Sequence, residues 1–281
     1  MINSLRPSVK MLSQEFVEKI VGEAYQVLER TGVFVENTTA IELLRAAGAR
    51  IDQSSKRVHL GAKIIDQALS TAPHAITLHD ADGEKSFVVG GDEVHFDPGS
   101  AALNVFEHST QSERKPVTKD LVRFSSLTQR LEHFNFQSTG LISSDVPEKI
   151  ADCHRMFIAL QCCTKPIVTG LFVVEGFSPM FEMLAAVRGG SDELRKKPLA
   201  IFDACPSPPL KWSNLTTQSL IDCARAGIPS ELVSMPLTGA TAPITLTGSL
   251  VQLTAENLAG VVITQLAMPG APVIFGGSPS C

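Results

Sequence analysis

Apolar residues recur at helical spacing through the first part of the chain. Over residues 13–30 they fall on one face, with Ser13 in the position of an N-cap and Gly32 just past the end. The same spacing over residues 38–47 and 62–70 predicts two further helices. The chain therefore begins with amphipathic helices, each of which needs a partner for its apolar face.

Short strand patterns lie between and after these helices. Residues 57–60 form one strand candidate. Residues 76–78 and 86–89 flank an Asp-Gly pair at residues 82–83, which is a strong hairpin signal. We therefore expect residues 1–92 to form a helical and hairpin extension rather than a repeated unit.

From residue 93 onward, short apolar runs alternate with helical patterns. Strand ends recur roughly every 30–40 residues, the spacing of βα units in a (β/α)8 barrel. A doubly wound sheet is the alternative, but it usually carries a Gly-rich dinucleotide fingerprint, which this chain lacks. We expect an α/β fold in which residues 93–281 form a partial (β/α)8 TIM-type barrel. The predicted strands lie within residues 94–96, 134–137, 166–170, 199–203, 232–235 and 272–278, and the predicted helices within residues 118–131, 147–162, 179–187, 216–226 and 244–266.

The predicted barrel is incomplete. About six strands are visible where a closed barrel needs eight. The last strand would leave an open apolar edge, which native proteins avoid. We therefore expect this sequence to be part of a longer protein that supplies about two more βα units.

The composition favours a large buried core. Of the 281 residues, 44% are hydrophobic and 19% are charged, and that charged fraction is low for a soluble domain. The formal net charge is -5, so there is no basic excess to hold a phosphate backbone. The composition argues against nucleic acid as a partner.

Cysteine usage and apolar segments bear on the compartment. The cysteines form no paired CxxC or CxxH set, which favours reduced thiols over disulfides or a zinc site. Residues 1–10 lack the apolar run of a signal peptide. Residues 244–266 are apolar enough to resemble a membrane span, but they contain Glu256 and Asn257 and have no flanking Lys or Arg. We expect a buried helix, no membrane partner and a cytoplasmic protein. The six cysteines are Cys153, Cys162, Cys163, Cys205, Cys223 and Cys281.

A series of motifs runs in order over nearly the whole chain and resembles the trimethylamine methyltransferase family. The longest is Ser-Met-Pro-Leu-Thr-Gly-Ala-Thr-Ala-Pro-Ile at residues 234–244. It is preceded by Ala-Gly-Ile-Pro at residues 226–229 and followed by matches at residues 255–260 and 269–277. Supporting matches lie at residues 94–96 with Gly99, 115–118 with Asp120, 145–147 and 205–208.

The resemblance implies a fold and an activity. Members of the family are (β/α)8 barrels that pass a methyl group from trimethylamine, or from a quaternary amine such as glycine betaine, to the cobalt of a separate corrinoid protein. The resemblance therefore implies that this chain binds no cofactor directly and that a partner protein supplies the corrinoid. The pyrrolysine of the trimethylamine type would lie beyond the last strand of this sequence. A non-catalytic ligand-binding or partner-docking fragment is the alternative, and the sequence leaves open the amine and whether the chain forms homo-oligomers.

The proposed chemistry asks little of acid–base groups. Methyl transfer from a quaternary ammonium is a displacement at carbon in which the amine leaves neutral, so positioning is the enzyme's main contribution. A tertiary amine must first gain a positive centre. The absence of a Ser/His/Asp set or of paired carboxylates in the sequence is therefore compatible with an enzyme, and we assign no catalytic residue and no metal ligand.

A quaternary ammonium is recognised by aromatic faces and negative charge, and such residues occur near several predicted strand ends. Phe96, Phe136, Phe172, Phe202 and Phe275 are the aromatic candidates, although core packing explains a phenylalanine equally simply. Among the carboxylates Asp97, Asp145 and Asp203, the best explanation of Asp145 is an N-cap before Pro147, and Asp203 directly follows a strand. The substrate-binding candidates are His95, Phe96, Gln137, Phe202, Asp203, Met235 and Phe275.

Two small-residue loops are candidates for contact with the corrinoid. Residues 238–241 could offer backbone N–H groups to a betaine carboxylate at a helix N-terminus, although a simple turn explains them equally well. Residues 276–278 lack large side chains, so a bulky planar group could approach them. The corrinoid-facing candidates are Gly239, Thr241, Gly276, Gly277 and Ser278.

Overall fold

A computed structural model describes residues 9–280 of the chain. Residues 1–8, which belong to the stretch that lacks a signal-peptide pattern, and Cys281 lie outside the described residues. Within residues 9–280 the protein has mixed α/β structure with helices packed around a parallel sheet. The α/β class predicted from the sequence is therefore confirmed.

The three amino-terminal helices form close to their predicted positions. Helix α1 (Gln14–Gln26) is capped by the Ser13 hydroxyl, which accepts the backbone N–H of Phe16 at 3.2 Å. A π-helical turn (Val27–Thr31) continues α1 and ends at Gly32, whose φ of 70° suits glycine. Helices α2 (Thr38–Ala46) and α3 (Ala62–Thr71) follow.

A four-stranded sheet joins this amino-terminal region to the rest of the chain. Its order is β11-β1-β3-β2, and β1 runs parallel to β11, with Phe34 opposite Lys211. The apolar cluster around it combines side chains of residues 24–68 with side chains of residues 204–263. The amino-terminal region and the later part of the chain thus share one core. These strands are β1 (Val33–Val35), β2 (Arg50–Asp52), β3 (Arg57–His59) and β11 (Lys211–Trp212).

Two hairpins lie outside this sheet. The predicted hairpin forms from β4 (Ile76–His79) and β5 (Ser86–Val89), in antiparallel register. A second hairpin, β6 (Val105–Glu107) and β7 (Ser112–Arg114), was not predicted.

The central element is a five-stranded parallel sheet of order β8-β9-β10-β12-β13. The strands follow chain order without the reversal that marks a doubly wound sheet. Within residues 9–280 this sheet does not close into a barrel. The strand predicted at residues 94–96 is wrong: that segment joins no ladder, and the Phe96 carbonyl instead accepts the N–H groups of Asn135 and Phe136. The strands are β8 (Gln137–Ser138), β9 (Ile167–Gly170), β10 (Ala200–Ala204), β12 (Ser230–Ser234) and β13 (Val273–Gly277).

Helices cover one face of the parallel sheet, which we call the helix-side face. Phe202 and Ile167 pack there against Met156 and Leu184. The opposite, inner face carries Val168 and Ile201, which pack against Phe136 and the β4–β5 hairpin. The alternation of side chains along each strand separates the two sets. The later helices are α4 (Thr118–Arg130), α5 (Glu148–Cys162), α6 (Phe177–Arg188), α7 (Ser191–Lys196), α8 (Asn214–Ala226) and α9 (Leu246–Ala267).

Helix α9 is the apolar segment that resembled a membrane span. In the described part of the chain it is the one helix long and apolar enough to cross a membrane by length and composition. It packs against α1, α3 and α8, and Gly260 allows the buried Trp212 ring to approach its backbone. Such packing is typical of a core helix.

The predicted role of Asp145 as the N-cap of the helix that follows it is wrong. Pro147 precedes α5 without a side-chain cap. Asp145 instead accepts the backbone N–H of Thr118 at 2.9 Å and its hydroxyl at 3.1 Å. Asp145 therefore stabilises the start of α4, whose first residue is Thr118.

Candidate active site at the carboxyl ends of the parallel strands

Two carboxylates lie side by side on the inner face of the parallel sheet. Asp203 on β10 is in register with Glu231 on β12. Ile201, two residues before Asp203, belongs to the inner-face apolar cluster, so Asp203 points to the same face. Asp203 lies near the carboxyl end of β10. Glu231 is the second residue of β12, but its Oε1 atom reaches Gly276 near the carboxyl end of β13. The two carboxylates therefore lie toward the end of the sheet where parallel α/β folds hold their ligands.

Burial changes the protonation of this pair. Burial first, and then the nearby charges of Glu231 and Asp97, raise the pKa of Asp203 to about 8. Burial and Asp97 also raise the pKa of Glu231, while a hydrogen bond from Asp203 acts in the opposite direction. Two partly buried carboxylates in contact cannot both ionise at low cost, so the pair holds one proton at neutral pH, mainly on Asp203.

The pair has no cationic partner among the described residues. The ion pairs formed by residues 9–280 involve other acids. The Asp203 Oδ1 atom is buried and accepts no hydrogen bond. A partly buried acid pair without a counter-ion is electrostatically suited to a cation brought from solution.

Two glycines border the pair. A Cβ atom added to Gly170 would lie 3.8 Å from the Cβ atom of Asp203. A Cβ atom added to Gly276 would lie 3.1 Å from Oε1 of Glu231, closer than side chains normally approach. The neighbouring strands therefore leave the acids uncovered by side chains at these two positions.

A buried ion pair supports the neighbouring strand ends. Arg155 and Asp152 on α5 are each 1% exposed, and their Nη2 and Oδ1 atoms lie 2.8 Å apart. The Arg155 guanidinium donates to the carbonyls of Thr139 and Gly170, which follow or end β8 and β9. Burial lowers the pKa of Arg155, and hydrogen bonding to Asp152 opposes that effect. The sequence analysis did not identify this pair.

A second buried network holds the loop after β12. Glu256 on α9 accepts the backbone N–H of Leu210 at 2.8 Å and the hydroxyl of Ser234. Gln252 donates to Glu256 and also to the carbonyl of Thr241, at 2.9 Å in both cases. Helix α9 thus fixes the start of β11 and the end of β12 relative to each other.

The predicted substrate-binding residues do not all meet. Only Asp203 joins the inner-face acid pair. His95 bonds the Val88 carbonyl at 2.8 Å and packs on the Phe136 ring, with 5.2 Å between ring centroids. Phe96 is 60% exposed in the segment before the sheet.

The other four predicted substrate-binding residues lie elsewhere. Gln137 is buried and donates to the carbonyls of Cys163 and Lys165, so it ties β8 to the segment before β9. Phe202 is buried on the helix-side face against Phe177. Met235 follows β12 and Phe275 lies in β13 beside the helix-side residue Leu232, and both are about half exposed.

The loop at residues 238–241 uses its own backbone donors. The N–H of Thr238 donates to Ser280, that of Gly239 to Ala242, and those of residues 240 and 241 to Leu237. Helix α9 begins at Leu246, with Thr245 as its N-cap. The proposed anion site of backbone amides in this loop is therefore occupied by internal hydrogen bonds. In the same loop, the Thr241 hydroxyl accepts the N–H of Leu237.

The small residues at the end of β13 also have internal contacts. A Cβ atom added to Gly277 would lie 2.7 Å from Leu253 on α9, so this glycine permits close packing of α9. The Asn257 side chain donates to the Gly276 carbonyl, and the Ser278 N–H donates to Ser234. These contacts account for the small residues without a ligand.

Glu231 is the main residue of the site that the sequence analysis missed. The strand was predicted at residues 232–235, whereas β12 spans Ser230–Ser234. The usable signal was an acid within an otherwise apolar parallel strand, where both faces are normally buried. Among residues 9–280, no group of three or more His, Cys, Asp or Glu side chains is arranged to hold a metal ion.

Comparisons with known proteins agree with the motifs. The family model for trimethylamine methyltransferase (MTTB) matches residues 1–281. Trimethylamine methyltransferase MttB of Desulfitobacterium hafniense (strain DSM 10664 / DCB-2) is 30% identical over 266 residues, which cover 95% of this chain and 54% of that protein. Glycine betaine methyltransferase of Desulfitobacterium hafniense (strain Y51) is 28% identical over 278 residues, which cover 99% of this chain and 57% of that protein. Trimethylamine methyltransferase MttB of Methanosarcina thermophila is 28% identical over 275 residues, which cover 96% of this chain and 57% of that protein. The chain spans about half the length of these curated relatives.

Proposed function

Because this chain belongs to the trimethylamine methyltransferase family, we propose that it is part of an enzyme that moves a methyl group from a methylated amine to a corrinoid cobalt. The corrinoid is carried by a separate protein and acts as the methyl acceptor. The amine is trimethylamine or a quaternary amine such as glycine betaine, the substrates named in the relatives. The enzyme works in the cytoplasm.

The observation that carries the proposal is the Asp203–Glu231 pair. A methylated ammonium bears one diffuse positive charge, which a pair of partly buried acids without a counter-ion can balance. Binding of the cation favours the ionised pair and so releases the proton that Asp203 holds. The pair binds and orients the cationic head, and a quaternary amine then leaves as a neutral molecule without needing a proton.

A tertiary amine uses the same pair differently. Its nitrogen must become positive before a methyl group can leave. The proton on Asp203 supplies that charge when it passes to the amine nitrogen, and the resulting carboxylates then hold the ammonium. One site therefore accommodates both substrate classes, by releasing its proton to solvent for a quaternary amine or by donating it to a tertiary amine.

We also propose that the parallel sheet belongs to a (β/α)8 barrel. Support comes from its sequential strand order and from helices on one face only. In a barrel, the inner face with Asp203 and Glu231 would line the mouth. Gly239 and Thr241 follow β12, and Gly276, Gly277 and Ser278 lie at the carboxyl end of β13. These residues form the edge that faces the corrinoid protein.

Transfer to the corrinoid tests the proposal. The protein, expressed to the end of its reading frame, is mixed with a corrinoid protein whose cobalt is reduced and with one amine at a time. Appearance of the methyl-cobalt absorption band with trimethylamine or glycine betaine is the expected result. Absence of the band with every methylated amine, using a corrinoid protein shown to accept methyl groups from another donor, would overturn the proposal.

Binding without turnover is the second candidate. It is favoured by the acid pair itself, which can hold a methylated ammonium without transferring a methyl group. Calorimetry on the 281-residue chain separates the two candidates. Binding of glycine betaine together with absence of the methyl-cobalt band identifies a ligand-binding or partner-docking fragment.

A further inference from the structure

The rim of the candidate site carries an aromatic ring in an unusual setting. Phe172 lies two residues past Gly170, the residue of β9 opposite Asp203. Its side chain is 51% exposed. The Arg155 guanidinium lies 4.6 Å from the centre of the ring. Arg155 itself is buried, so one face of the ring rests on a fixed internal support.

The backbone of this rim is held by the same ion pair. The Oδ2 atom of Asp152 accepts the N–H groups of Phe172 at 2.7 Å and Val173 at 3.2 Å. Arg155 reaches the Gly170 carbonyl at 3.3 Å. The pair therefore fixes the position of Phe172 through its backbone and through its ring.

The charge balance leaves the ring able to receive a cation. The Arg155 guanidinium, on the buried side of the ring, would repel a second cation if its charge were not compensated. Asp152 lies 2.8 Å from it and compensates its charge. The ring face turned away from Arg155 can then attract a methylated ammonium through the cation–π interaction.

We propose that the buried Asp152–Arg155 pair is a positioning pair that presents Phe172 as an aromatic wall for the cationic head of the substrate. This inference rests on the proposed function, because it assigns the wall to the site that contains Asp203. Phe172 contacts the substrate, whereas Asp152 and Arg155 affect substrate binding only through the position of Phe172. A purely structural role would make the pair important for folding and irrelevant to cation affinity.

The test is calorimetry, which measures the dissociation constant of tetramethylammonium from the 281-residue chain. Phe172→Leu keeps an apolar side chain and removes the ring, and it is expected to weaken binding about fivefold. Arg155→Lys keeps the charge but loses the planar fork that contacts two carbonyls and the ring, and it is expected to weaken binding about threefold. The double variant Phe172→Leu/Arg155→Lys should bind no more weakly than Phe172→Leu alone, because Arg155 acts through the ring.

Arg188→Lys is the matched control. Arg188 also donates to backbone carbonyls, those of His79, Asp80 and Ala81, but these lie at the turn of the β4–β5 hairpin. Its substitution should leave the dissociation constant unchanged. Unchanged affinity in Phe172→Leu, or losses that add in the double variant, would overturn the positioning role.

The outcomes also separate this inference from the proposed function. Failure of the unsubstituted chain to bind any methylated ammonium overturns both. Binding and methyl transfer by the unsubstituted protein, combined with full affinity in Phe172→Leu, overturn only the aromatic wall. Arg155→Met would leave Asp152 buried without its partner and would destabilise the fold, so the test uses Arg155→Lys and the exposed Phe172 instead.

Discussion

Asp203 and Glu231 face each other across two parallel strands as a partly buried acid pair that holds one proton at neutral pH. Asp97 adds further negative charge near the pair, and no cationic side chain among the described residues forms an ion pair with either acid. This relationship makes both cation binding and folding depend on pH, with consequences that can be measured.

Cation affinity should rise with pH. A methylated ammonium binds best to the ionised pair, and burial raises the pKa of Asp203 to about 8. We expect the affinity for tetramethylammonium to increase between pH 6 and pH 8, by up to about tenfold per pH unit, and to level off above pH 8. Calorimetry across this range checks the prediction.

The matched controls use two other substitutions. Asp203→Asn should remove most of the pH dependence, because the titrating group is gone. Asp222→Asn should leave it intact. Asp222 is likewise a partly buried acid whose pKa is raised by burial, but it lies on α8, outside the acid pair. Affinity that does not change between pH 6 and pH 9 would contradict a proton-linked site.

Folding stability should show the opposite trend. Because the folded-state pKa of Asp203 lies above its unfolded value of 3.8, the folded protein binds the proton more tightly. The acid therefore destabilises the fold progressively as pH rises from about 4 to about 8. Asp203→Asn should be more stable than the unsubstituted protein by about 2 kcal/mol at pH 8, with little difference at pH 4.

Trp212 provides the measurement. It is the one tryptophan in the sequence and is fully buried, so its fluorescence reports unfolding in urea. Equal stability differences at pH 4 and pH 8 would show that Asp203 is not protonated in the folded state.

Two glycine-to-alanine substitutions should have opposite effects. A Cβ atom at Gly260 of α9 would lie 2.6 Å from the Trp212 ring, whereas a Cβ atom at Gly22 of α1 meets nothing within 4 Å. Gly260→Ala should destabilise the protein by about 1–3 kcal/mol, since overpacking a rigid ring outweighs the gain in helix propensity. Gly22→Ala should stabilise it by about 0.5–1 kcal/mol. Urea unfolding of both variants at one pH measures these differences in the free energy of unfolding. A stabilised Gly260→Ala variant would show that the contact with the Trp212 ring relaxes freely.

Removal of the Glu256 carboxylate should loosen the loop network. Both of its oxygens accept hydrogen bonds, from the Leu210 backbone, Gln252 and Ser234. In Glu256→Leu the buried N–H of Leu210 loses its acceptor, which should cost about 1–3 kcal/mol. Glu15→Gln, on the exposed side of α1, is the control and should be neutral. Equal unfolding midpoints in urea for the two variants would contradict the network.

The sequence was sufficient for the order of helices and strands but not for the strand boundaries that define the site. The alternation of apolar runs predicted four of the five parallel strands close to their places. A shift of two residues in β12 hid Glu231, because a buried acid in a parallel strand contradicts the apolar pattern used to find strands. Tertiary contacts, which local patterns do not encode, decided this boundary.

The same limit explains the aromatic candidates. Phe202 and Asp203 are adjacent, so they point to opposite faces of the sheet, and only one of them can face the substrate. Asp145 looked like a cap for the helix that follows it, yet it bonds Thr118, 27 residues earlier. Sequence spacing alone does not reveal a partner so distant in the chain.

The pairing of β1 with β11 has a consequence for synthesis of the protein. Phe34 finds its strand partner at Lys211, and α1 and α3 pack on α9, which ends at Ala267. At about 5–20 residues per second, the amino-terminal helices wait on the order of ten seconds or more before these partners leave the ribosome. During that interval their apolar faces are uncovered, so the nascent chain is a natural client for a chaperone that binds unfolded segments.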